Sequence, residues 1–490
     1  MSHSVDVPDR GLRRNAVGLP ALVAQSLGVT APEISAVVIA SVVAAKVGGA
    51  TPFAFLIAGI GALGLALIYG RFARYVPHAG GTYAIVRAGL GRDAGFFSGW
   101  VVLAVGIIFV PALLVAAAFL LQNFFGLVSP KSATILSDNW ILWAALLGLV
   151  LIALSYFGIQ VSAWVLLTLT AIGVTMLVVF DIFILAKGGA DGLAWKSLTP
   201  DNVSLGDLAL AVGIAMTGFS GFETAVFLAE EARTPRRQVP KAVVGAVLLA
   251  IVFFVFTTFS IVSGYGLTNA GKAWPTDSGG AVVALSAQFI SLGFGKILLL
   301  LLAISSFASA LGTANFTTRV AFSWGHDGYL PRSFGRTQPR YQSPHVAIAA
   351  LAGLIALVFA GGLIWQGKGI DAGLTYFSWL LQAGATGILV VYALVAIAGA
   401  IHSRRHGSTS ALDLYIAPAV ALVVVVAAEV TEFYDQPSPF KYAPYVMLAW
   451  MALGIVVRLA TRNRMAAVER DGVTPERLEA AAEPEPAAMT

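Results

Sequence analysis

The stretch Thr217-Gly218-Phe219-Ser220-Gly221-Phe222-Glu223 decides the fold. It lies inside an apolar segment from about residue 205 to residue 230, yet it holds two glycines, a serine and a carboxylate. Glycine inside a helix costs about 1 kcal/mol relative to alanine, and a carboxylate at the bilayer centre costs about 3 kcal/mol on insertion scales. Irregular backbone at membrane depth is tolerated only where protein or a water-filled cavity surrounds it. The stretch therefore predicts a broken membrane helix that forms half of a substrate site.

The composition is that of a membrane protein. Of the 490 residues, 58% are hydrophobic and 11% are charged, and the mean hydropathy is +0.84. A soluble domain carries about 25% charged residues, which excludes a soluble fold. The net charge of +5 comes from short loops between apolar segments, so we expect no nucleic-acid partner. Cysteine is absent, which excludes disulfides, thiol chemistry and cysteine-based metal sites.

The apolar segments predict an all-α integral membrane protein with twelve transmembrane helices, because a helix needs about 20 apolar residues to cross the hydrocarbon core. The predicted spans are 20–45, 52–72, 95–122, 139–158, 161–186, 206–229, 240–265, 294–321, 345–365, 373–401, 411–430 and 442–460. Most of the lysine and arginine residues fall in segments on one side of these spans. The positive-inside rule then places both termini in the cytoplasm.

The segments outside the spans are mostly short. Residues 1–18 are predicted to be a cytoplasmic tail, and residues 463–490 a disordered cytoplasmic tail rich in Ala, Glu and Pro. We expect the inner loop from Arg71 to Arg92, which is basic and aromatic, to lie along the membrane surface. The outer loop from Tyr265 to Ser291 is long enough for a short helix that acts as a lid.

A second interruption matches the first. Gly28-Val29-Thr30-Ala31-Pro32-Glu33 in the first span reads glycine, apolar, hydroxyl, small, variable, glutamate, as does the stretch from Gly218 to Glu223 in the sixth. The two lie five spans apart, which is an odd number, so the second copy crosses the membrane in the opposite sense. This predicts inverted repeats at 19–187 and 205–402, followed by two added spans at 410–462. The alternative is that small and hydroxyl residues merely allow close helix packing.

Four stretches carry a more specific pattern. They are Pro77–Tyr83 followed by Gly99-Trp100, Gly218–Val243, Asn315–Pro331 and Arg340–Val346. In order, they resemble four parts of the amino acid–polyamine–organocation (APC) superfamily of permeases. These are the loop after span two with the entry into span three, span six with its inner loop and the start of span seven, the end of span eight, and the entry into span nine. The chain is identified as a member of that superfamily over roughly residues 20–400.

The resemblance implies a leucine-transporter-like core of five plus five inverted helices, with helices 1 and 6 discontinuous, and two peripheral helices. It also implies a secondary active transporter in the cytoplasmic membrane. Such a protein moves an amino acid, or a related organic amine or polyamine, by alternating access, with ion coupling or by exchange. By analogy, N–H groups at the first break hold a carboxylate and carbonyls at the second hold an amine, which agrees with the charges of helix ends. The matching positions are Gly28, Val29, Thr30 and Ala31, then Thr217, Gly218, Phe219, Ser220 and Gly221.

The chain departs from the superfamily pattern at two places. Many members carry Gly-x-Gly at the first break, where this chain has Thr30-Ala31-Pro32-Glu33. The added negative charge favours an amine, a diamine or a cationic amino acid. It makes Glu33 a candidate for direct substrate contact; the alternative is that Glu33 pairs with a group across the bundle. Some proton-coupled members place a lysine midway along span five, and the segment 161–186 has no basic residue.

Five residues are candidates for coupling or gating. Glu223 is a candidate for a protonatable coupling residue; the alternative is a hydrogen bond that stabilises the break. Phe219 and Phe222 are candidates for closing over a ligand, or else for packing. Ser309 and Thr313 share one helix face at i, i+4 spacing, and by analogy that face meets the first break, where sodium-coupled relatives bind their ion. Both proton and sodium coupling therefore stay open, as does simple packing for the two hydroxyls.

Charged residues near the inner ends of spans six to eight predict salt bridges that break and re-form as the cytoplasmic side opens. They are Glu230, Glu231, Arg233, Arg236, Arg237 and Arg319. No enzyme signature is present: there is no phosphate-binding loop, no His-rich metal spacing and no catalytic carboxylate pair. We therefore expect no catalysis, no cofactor and no metal site. The rival functions are a passive facilitator or channel for small amines and a non-transporting membrane sensor on the same scaffold.

Overall fold

The computed structural model describes residues 15–75, 81–128, 139–201, 203–276, 280–367, 370–406, 408–434 and 436–471. Regular structure within these ranges is helical, apart from one isolated backbone bridge between Val17 and Ala232. The all-α class predicted from the sequence is confirmed. Most of the N-terminal tail, most of the C-terminal tail and part of the first inner loop lie outside the described residues.

The helices follow the predicted spans. The α-helices are α1 (Leu19–Thr30), α2 (Pro32–Ile34), α3 (Ala40–Val47), α4 (Thr51–Tyr75), α5 (Thr82–Leu90), α6 (Arg92–Val128), α7 (Trp140–Tyr156), α8 (Ile159–Ala186), α9 (Leu205–Thr217), α10 (Pro235–Tyr265), α11 (Ala270–Thr276), α12 (Ala281–Phe289), α13 (Leu292–His326), α14 (His345–Gln366), α15 (Ile370–Arg405), α16 (Ala417–Phe433) and α17 (Ala443–Asp471). π-Helical segments at Ser35–Ile39 and Leu412–Ile416 and a 3-10 helix at Phe222–Glu231 connect to them.

Ten helical segments within the described ranges are long and apolar enough to cross a membrane. One of them, Leu19–Arg74, has 56 residues and covers the first two predicted spans, which a 3-10 turn at Gly48–Ala50 separates. α7 coincides with the fourth predicted span but has only 17 residues. The chain is therefore a multi-pass membrane protein.

The first break forms because two consecutive residues interrupt the helix. Ala31 has a φ of 47° and a ψ of 63°, the left-handed region that L-residues rarely adopt. Pro32 has no N–H to donate, but its fixed φ suits the first position of a new helix. The chain therefore resumes as α2 at Pro32 and passes through the π-helical segment into α3.

The second break forms at a stretch that contains glycine, a residue that destabilises a continuous helix. α9 ends at Thr217, and residues 218–221 form successive tight turns. Gly221 has a φ of 104°, which glycine adopts at no steric cost. The chain then continues as the 3-10 helix Phe222–Glu231. Both interruptions predicted from the sequence are thus present.

α6 and α13 form the centre of the bundle and are buried along most of their length. A Cβ added at Gly106 of α6 would lie 2.0 Å from Thr317 Oγ1 of α13. Small residues permit such close approach between membrane helices. Around this pair, α15 packs on α6, α4 packs on α10, and the broken helix α1 packs against α8, α10 and α13.

Three connections refine the sequence expectations. The described part of the Arg71–Arg92 loop forms α5, which is largely buried against α6 and α15 rather than lying along the membrane surface. The loop after α10 forms the short helices α11 and α12, and Trp274 of α11 donates from Nε1 to Val37 O over 3.1 Å. α17 runs to Asp471, so the predicted disordered tail begins as helix.

Candidate functional site

The two helix breaks meet at Gly221. A Cβ there would lie 2.6 Å from Val29 Cγ1 and 3.0 Å from Thr30 N, so only glycine allows this approach. Next to it, Thr224 Oγ1 donates a hydrogen bond to Gln25 O over 3.2 Å. The matched interruptions in the sequence are therefore in direct contact.

A small cavity lies between the breaks. Its volume is about 50 Å³, room for only a few water molecules, since one water needs about 10–15 Å³ by this measure. Its wall consists of Val29, Thr30, Ala31, Ile34, Ser35, Ile39, Val105, Phe109, Leu113, Thr217, Ser220, Gly221, Glu223, Phe316, Phe377, Leu381 and Ile388. Apart from Ser35, which follows the first break, every polar side chain in this wall belongs to one of the two breaks. The rest of the wall is apolar.

The predicted site residues divide into two groups. Those on the cavity wall are Val29, Thr30, Ala31, Thr217, Ser220, Gly221 and Glu223. Those that the structure places away from this wall are Gly28, Glu33, Gly218, Phe219, Phe222, Ser309 and Thr313. Gly28 illustrates the second group, because a Cβ there would lie 2.3 Å from Leu166 Cδ1 of α8. This glycine allows α1 to pack closely on α8.

Carbonyl groups at both breaks accept hydrogen bonds from nearby hydroxyls. Ser309 Oγ donates to Val29 O over 2.8 Å, and Ser220 Oγ donates to Thr217 O over 2.6 Å. A carbonyl oxygen has two lone pairs. Thr217 O also accepts from the backbone N–H of Ser220 over 3.1 Å, so both of its lone pairs are used in this conformation, and contact with a substrate ammonium group would require one of these bonds to break.

Glu33 faces α8 and α13. Its Oε2 accepts a hydrogen bond from Ser305 Oγ over 2.6 Å, and a Cβ added at Gly173 of α8 would lie 2.3 Å from its Oε1. Within the described residues, Oε1 is buried without a hydrogen-bond partner. The amine contact expected of Glu33 therefore requires a different conformation from this one.

Glu223 is held at the second break by a tyrosine that the sequence reading missed. Tyr392 of α15 donates from its hydroxyl to Glu223 Oε2 over 2.7 Å. The backbone N–H of Gly221 donates to the same carboxylate oxygen over 3.2 Å. The carboxylate thus stabilises the break and also forms part of the cavity wall. Tyr392 is one of two tyrosines in α15, and its position within a long apolar run was the signal that could have revealed it.

Phe219 and Phe222 both pack among other aromatic rings. The Phe219 ring lies 4.8 Å from that of Phe254 in an edge-on arrangement. The Phe222 ring lies 5.8 Å from Tyr69 and 5.7 Å from Tyr392. Packing therefore describes both residues in this conformation, and closing over a ligand would require each ring to leave its cluster.

The hydroxyl face of α13 reaches the first break through Ser309, as its hydrogen bond to Val29 O shows. Thr313 Oγ1, one turn further on, is buried and has no hydrogen-bond partner among the described residues. Within the residues that the structure describes, no group of three or more His, Asp or Glu side chains is placed to hold a metal ion.

The remaining wall residues gave no sequence signal. They are Ile34, Ser35, Ile39, Val105, Phe109, Leu113, Phe316, Phe377, Leu381 and Ile388. Most are apolar residues within apolar helices. Only the folded bundle shows which face of each helix meets the cavity.

Residues 18–457 match the amino acid permease family. The chain belongs to this family. It is similar to the glutamate/serine transporter AimA of Bacillus subtilis (strain 168), with 23% identity over 320 residues, which is 62% of this chain but only 58% of that protein. It is also similar to the branched-chain amino acid permease BcaP of the same organism, with 24% identity over 331 residues, 62% of this chain and 66% of BcaP.

A third relative is an uncharacterized transporter of Mycobacterium tuberculosis (strain ATCC 25618 / H37Rv), 26% identical over 410 residues, 79% of this chain and 81% of that protein. The resemblance to APC permeases is thereby confirmed. This permease is a membrane transporter and not an enzyme.

A stacked aromatic pair and a buried ion pair follow the cavity wall of this permease toward the basic end of the bundle, where α1 begins, α4 ends and α10 begins; we interpret them as a layered seal. Phe316 of the wall stacks on Phe227 with ring centroids 5.3 Å apart. Beyond them, Arg319 donates from Nε and Nη2 to the two oxygens of Glu231 over 2.6 and 3.2 Å, with both side chains buried. Val17 N donates to Glu231 O over 3.1 Å, which ties the segment before α1 to this layer.

Proposed function

We propose that this permease is a secondary active transporter that moves a small amino acid across the cytoplasmic membrane by alternating access. The observation that carries the proposal is the cavity between the two breaks, whose polar side chains all come from those breaks except that of Ser35, which follows the first break. N-terminal helix ends attract carboxylates, and C-terminal carbonyl ends attract ammonium groups. An α-amino acid carries both groups on one carbon, so it can bridge the two breaks once the cavity widens beyond its volume of about 50 Å³ in this conformation.

The apolar part of the wall favours a neutral amino acid with an aliphatic side chain. Residues such as Val105, Phe109 and Ile388 surround the cavity away from the breaks. The similarity to a branched-chain permease supports this class, and the similarity to a glutamate/serine transporter makes those two amino acids the first competitors to test. A second class, an organic amine or polyamine, is favoured by the Glu223 carboxylate on the wall.

The proposed topology has twelve spans, inverted repeats at 19–187 and 205–402, and both termini in the cytoplasm. The matched breaks support the repeats, and the distribution of basic residues supports the orientation. The fourth proposed span corresponds to the short helix α7. Its 17 residues extend about 26 Å, and local thinning of the bilayer can accommodate such a mismatch.

We further propose that Glu223 couples transport to a proton. Its carboxylate lies on the wall and is hydrogen-bonded to Tyr392 of α15. A change in its protonation would therefore act on the cavity and on the contact between α15 and the second break together. Sodium coupling through Ser309 and the Val29 carbonyl is the competing mechanism, and substrate exchange is another.

Uptake into proteoliposomes tests this function. Radiolabelled leucine, serine, glutamate, arginine and putrescine would each be offered under an imposed proton gradient or an imposed sodium gradient. We expect leucine to accumulate above its external concentration with the proton gradient. Accumulation only with sodium would replace proton by sodium coupling, equilibration without accumulation would indicate a facilitator, and binding without flux would indicate a sensor.

Glu223→Gln should retain substrate binding and lose gradient-driven accumulation. The matched control is Glu432→Gln, which removes another buried carboxylate, in α16 and outside the cavity wall. Unchanged accumulation in Glu223→Gln would refute its role in coupling. Equal loss in both variants would point to general destabilisation.

A further inference from the structure

A second and larger cavity lies at the basic end, between α4 and α10. Its volume is about 960 Å³, and it shares no wall residue with the substrate cavity. Its wall consists of Leu67, Gly70, Arg71, Arg74, Arg236, Arg237, Pro240, Lys241, Val244, Gly245, Leu248 and Asp413. The transport cycle proposed above assigns no role to this α4–α10 cavity.

The wall residues of α10 change from basic to apolar along one helix face. Arg237 and Lys241 are near the start of α10, and Gly245 and Leu248 follow on the same face. At 1.5 Å per residue, Leu248 lies about 17 Å along the axis from Arg237. The headgroup layer is only about 5–8 Å thick on each side of a bilayer. The cavity therefore begins among headgroups and continues into the hydrocarbon.

The outer part of the cavity is strongly positive. Its wall holds five cations and one carboxylate, Asp413, which forms an ion pair with Arg71. The other cations are Arg74, Arg236, Arg237 and Lys241, all exposed and without an ion pair among the described residues. Basic residues near a membrane surface often extend singly toward water. Here they converge on one cavity.

The inner part of the cavity is apolar and unfilled. Apart from the backbone of α10 itself, no atom of the described residues lies within 4 Å of the position that a Cβ at Gly245 would occupy. Leu248 is 47% exposed, and Leu67 of α4 is half-buried across the cavity. At this depth an exposed apolar groove faces acyl chains rather than water.

We propose that the α4–α10 cavity binds an anionic phospholipid. The phosphodiester headgroup lies among Arg74, Arg237 and Lys241, and an acyl chain runs past Gly245 and Leu248. Arginine donates two parallel hydrogen bonds to phosphate oxygens, and basic pockets between membrane helices bind anionic headgroups. The positive N-terminal end of α10 adds to this attraction. A soluble phosphate would satisfy the cations and leave the apolar groove empty, which is why a lipid fits better.

The test measures thermal unfolding of the purified full-length protein in a neutral detergent. Phosphatidylglycerol, phosphatidylcholine and inorganic phosphate would be titrated in separate experiments. We expect phosphatidylglycerol to raise the unfolding midpoint with saturation, and the other two to leave it unchanged. The double variant Arg237→Gln, Lys241→Gln should need about thirtyfold more phosphatidylglycerol for half-saturation.

Two matched controls separate charge from position. Arg332→Gln with Arg336→Gln removes the same charge from exposed positions outside the α4–α10 cavity and should leave half-saturation unchanged. Gly245→Leu fills the apolar groove without removing charge and should also weaken the lipid effect. Gly353→Leu is its control, because Gly353 of α14 likewise has no atom within 4 Å of an added Cβ.

Three outcomes would overturn the proposal. An equal effect of inorganic phosphate would make the cavity a soluble-anion site. An equal effect of phosphatidylcholine would mean general solvation by lipid. The same phosphatidylglycerol dependence in the wild type, the double arginine–lysine variant and Gly245→Leu would place the lipid elsewhere.

Discussion

Removing the carboxylate charge of Glu231 should open the seal at the basic end. The Glu231 and Arg319 side chains are only 1% and 5% exposed. Removing one partner of a buried ion pair costs about 3–5 kcal/mol, because the other charge stays buried and unpaired. In an open conformation water reaches both groups, so Glu231→Gln raises the free energy of the closed conformation and leaves that of the open conformation unchanged. The closed-to-open ratio should fall by a factor of about 100 to 4000.

The absence of cysteine allows a direct assay of this opening. Ser220→Cys places a single thiol on the cavity wall. A membrane-impermeant maleimide, added from the basic side of sealed vesicles, labels this thiol only when the seal opens. We expect labelling to be at least about tenfold faster when Glu231→Gln is also present. This figure is set below the change in the closed-to-open ratio that loss of the buried ion pair predicts.

Three control variants test whether faster labelling results from opening of the seal. Ser410→Cys, at an exposed position on the basic side, should label rapidly with or without Glu231→Gln. Glu432→Gln should leave labelling of the cavity thiol unchanged. Replacing Arg319 by Gln as well should slow labelling again, because a neutral pair leaves no buried charge uncompensated. If Glu231→Gln does not change the labelling rate while the exposed thiol reacts normally, the ion pair is not part of the seal.

Three further substitutions probe the breaks and their partners. Gly221→Ala forces a side chain into a left-handed conformation, which costs about 1–3 kcal/mol; it should lower the unfolding midpoint and the uptake rate, and Gly353→Ala should change neither. If Gly221→Ala unfolds at the same midpoint as the wild type, the two breaks can move apart without loss of stability. Tyr392→Phe removes a hydrogen bond to a carboxylate worth about 1.5–3 kcal/mol and should reduce accumulation more than substrate binding, whereas equal losses would make its role structural. Glu33→Gln should weaken the binding of cationic and neutral ligands equally. A selective loss of binding for cationic ligands would instead support a direct contact between Glu33 and the substrate amine.

The helices and their breaks could be predicted because local chemistry determines them. Long apolar runs form helices in a bilayer, where every backbone group must be satisfied internally. Pro32 cannot donate an N–H wherever it occurs, and Gly221 allows a positive φ in any surroundings. The positions of both interruptions therefore followed from residue type.

The direction in which each side chain points could not be predicted, because it depends on helix rotation and on distant partners. The sequence left open whether Glu33 faces substrate or pairs across the bundle, and its carboxylate is bound by Ser305, 272 residues away in the sequence. A backbone contact of Gly28 with substrate stays a prediction, and nothing in the sequence indicated that this glycine packs on Leu166. The apolar wall gave no signal, since Phe109 differs in no visible way from other apolar residues of α6.

Which charged residues pair with each other likewise could not be predicted from the sequence. Glu231 and Arg319 were both predicted to form inner salt bridges, and the structure shows that they pair with each other. Arg236 and Arg237, expected in the same cluster, instead line the α4–α10 cavity. The spacing of α10 allows either arrangement, so only the packing of α4 against α10 distinguishes them.

Whether an amino acid binds between the two breaks is tested most directly by substrate protection of the thiol in Ser220→Cys. The amino acid that proteoliposomes accumulate should slow maleimide labelling, with half-protection at the concentration that half-saturates uptake, and should leave Ser410→Cys unaffected. A transported amino acid that leaves labelling of Ser220→Cys unchanged at saturating concentration would contradict a substrate site between the breaks.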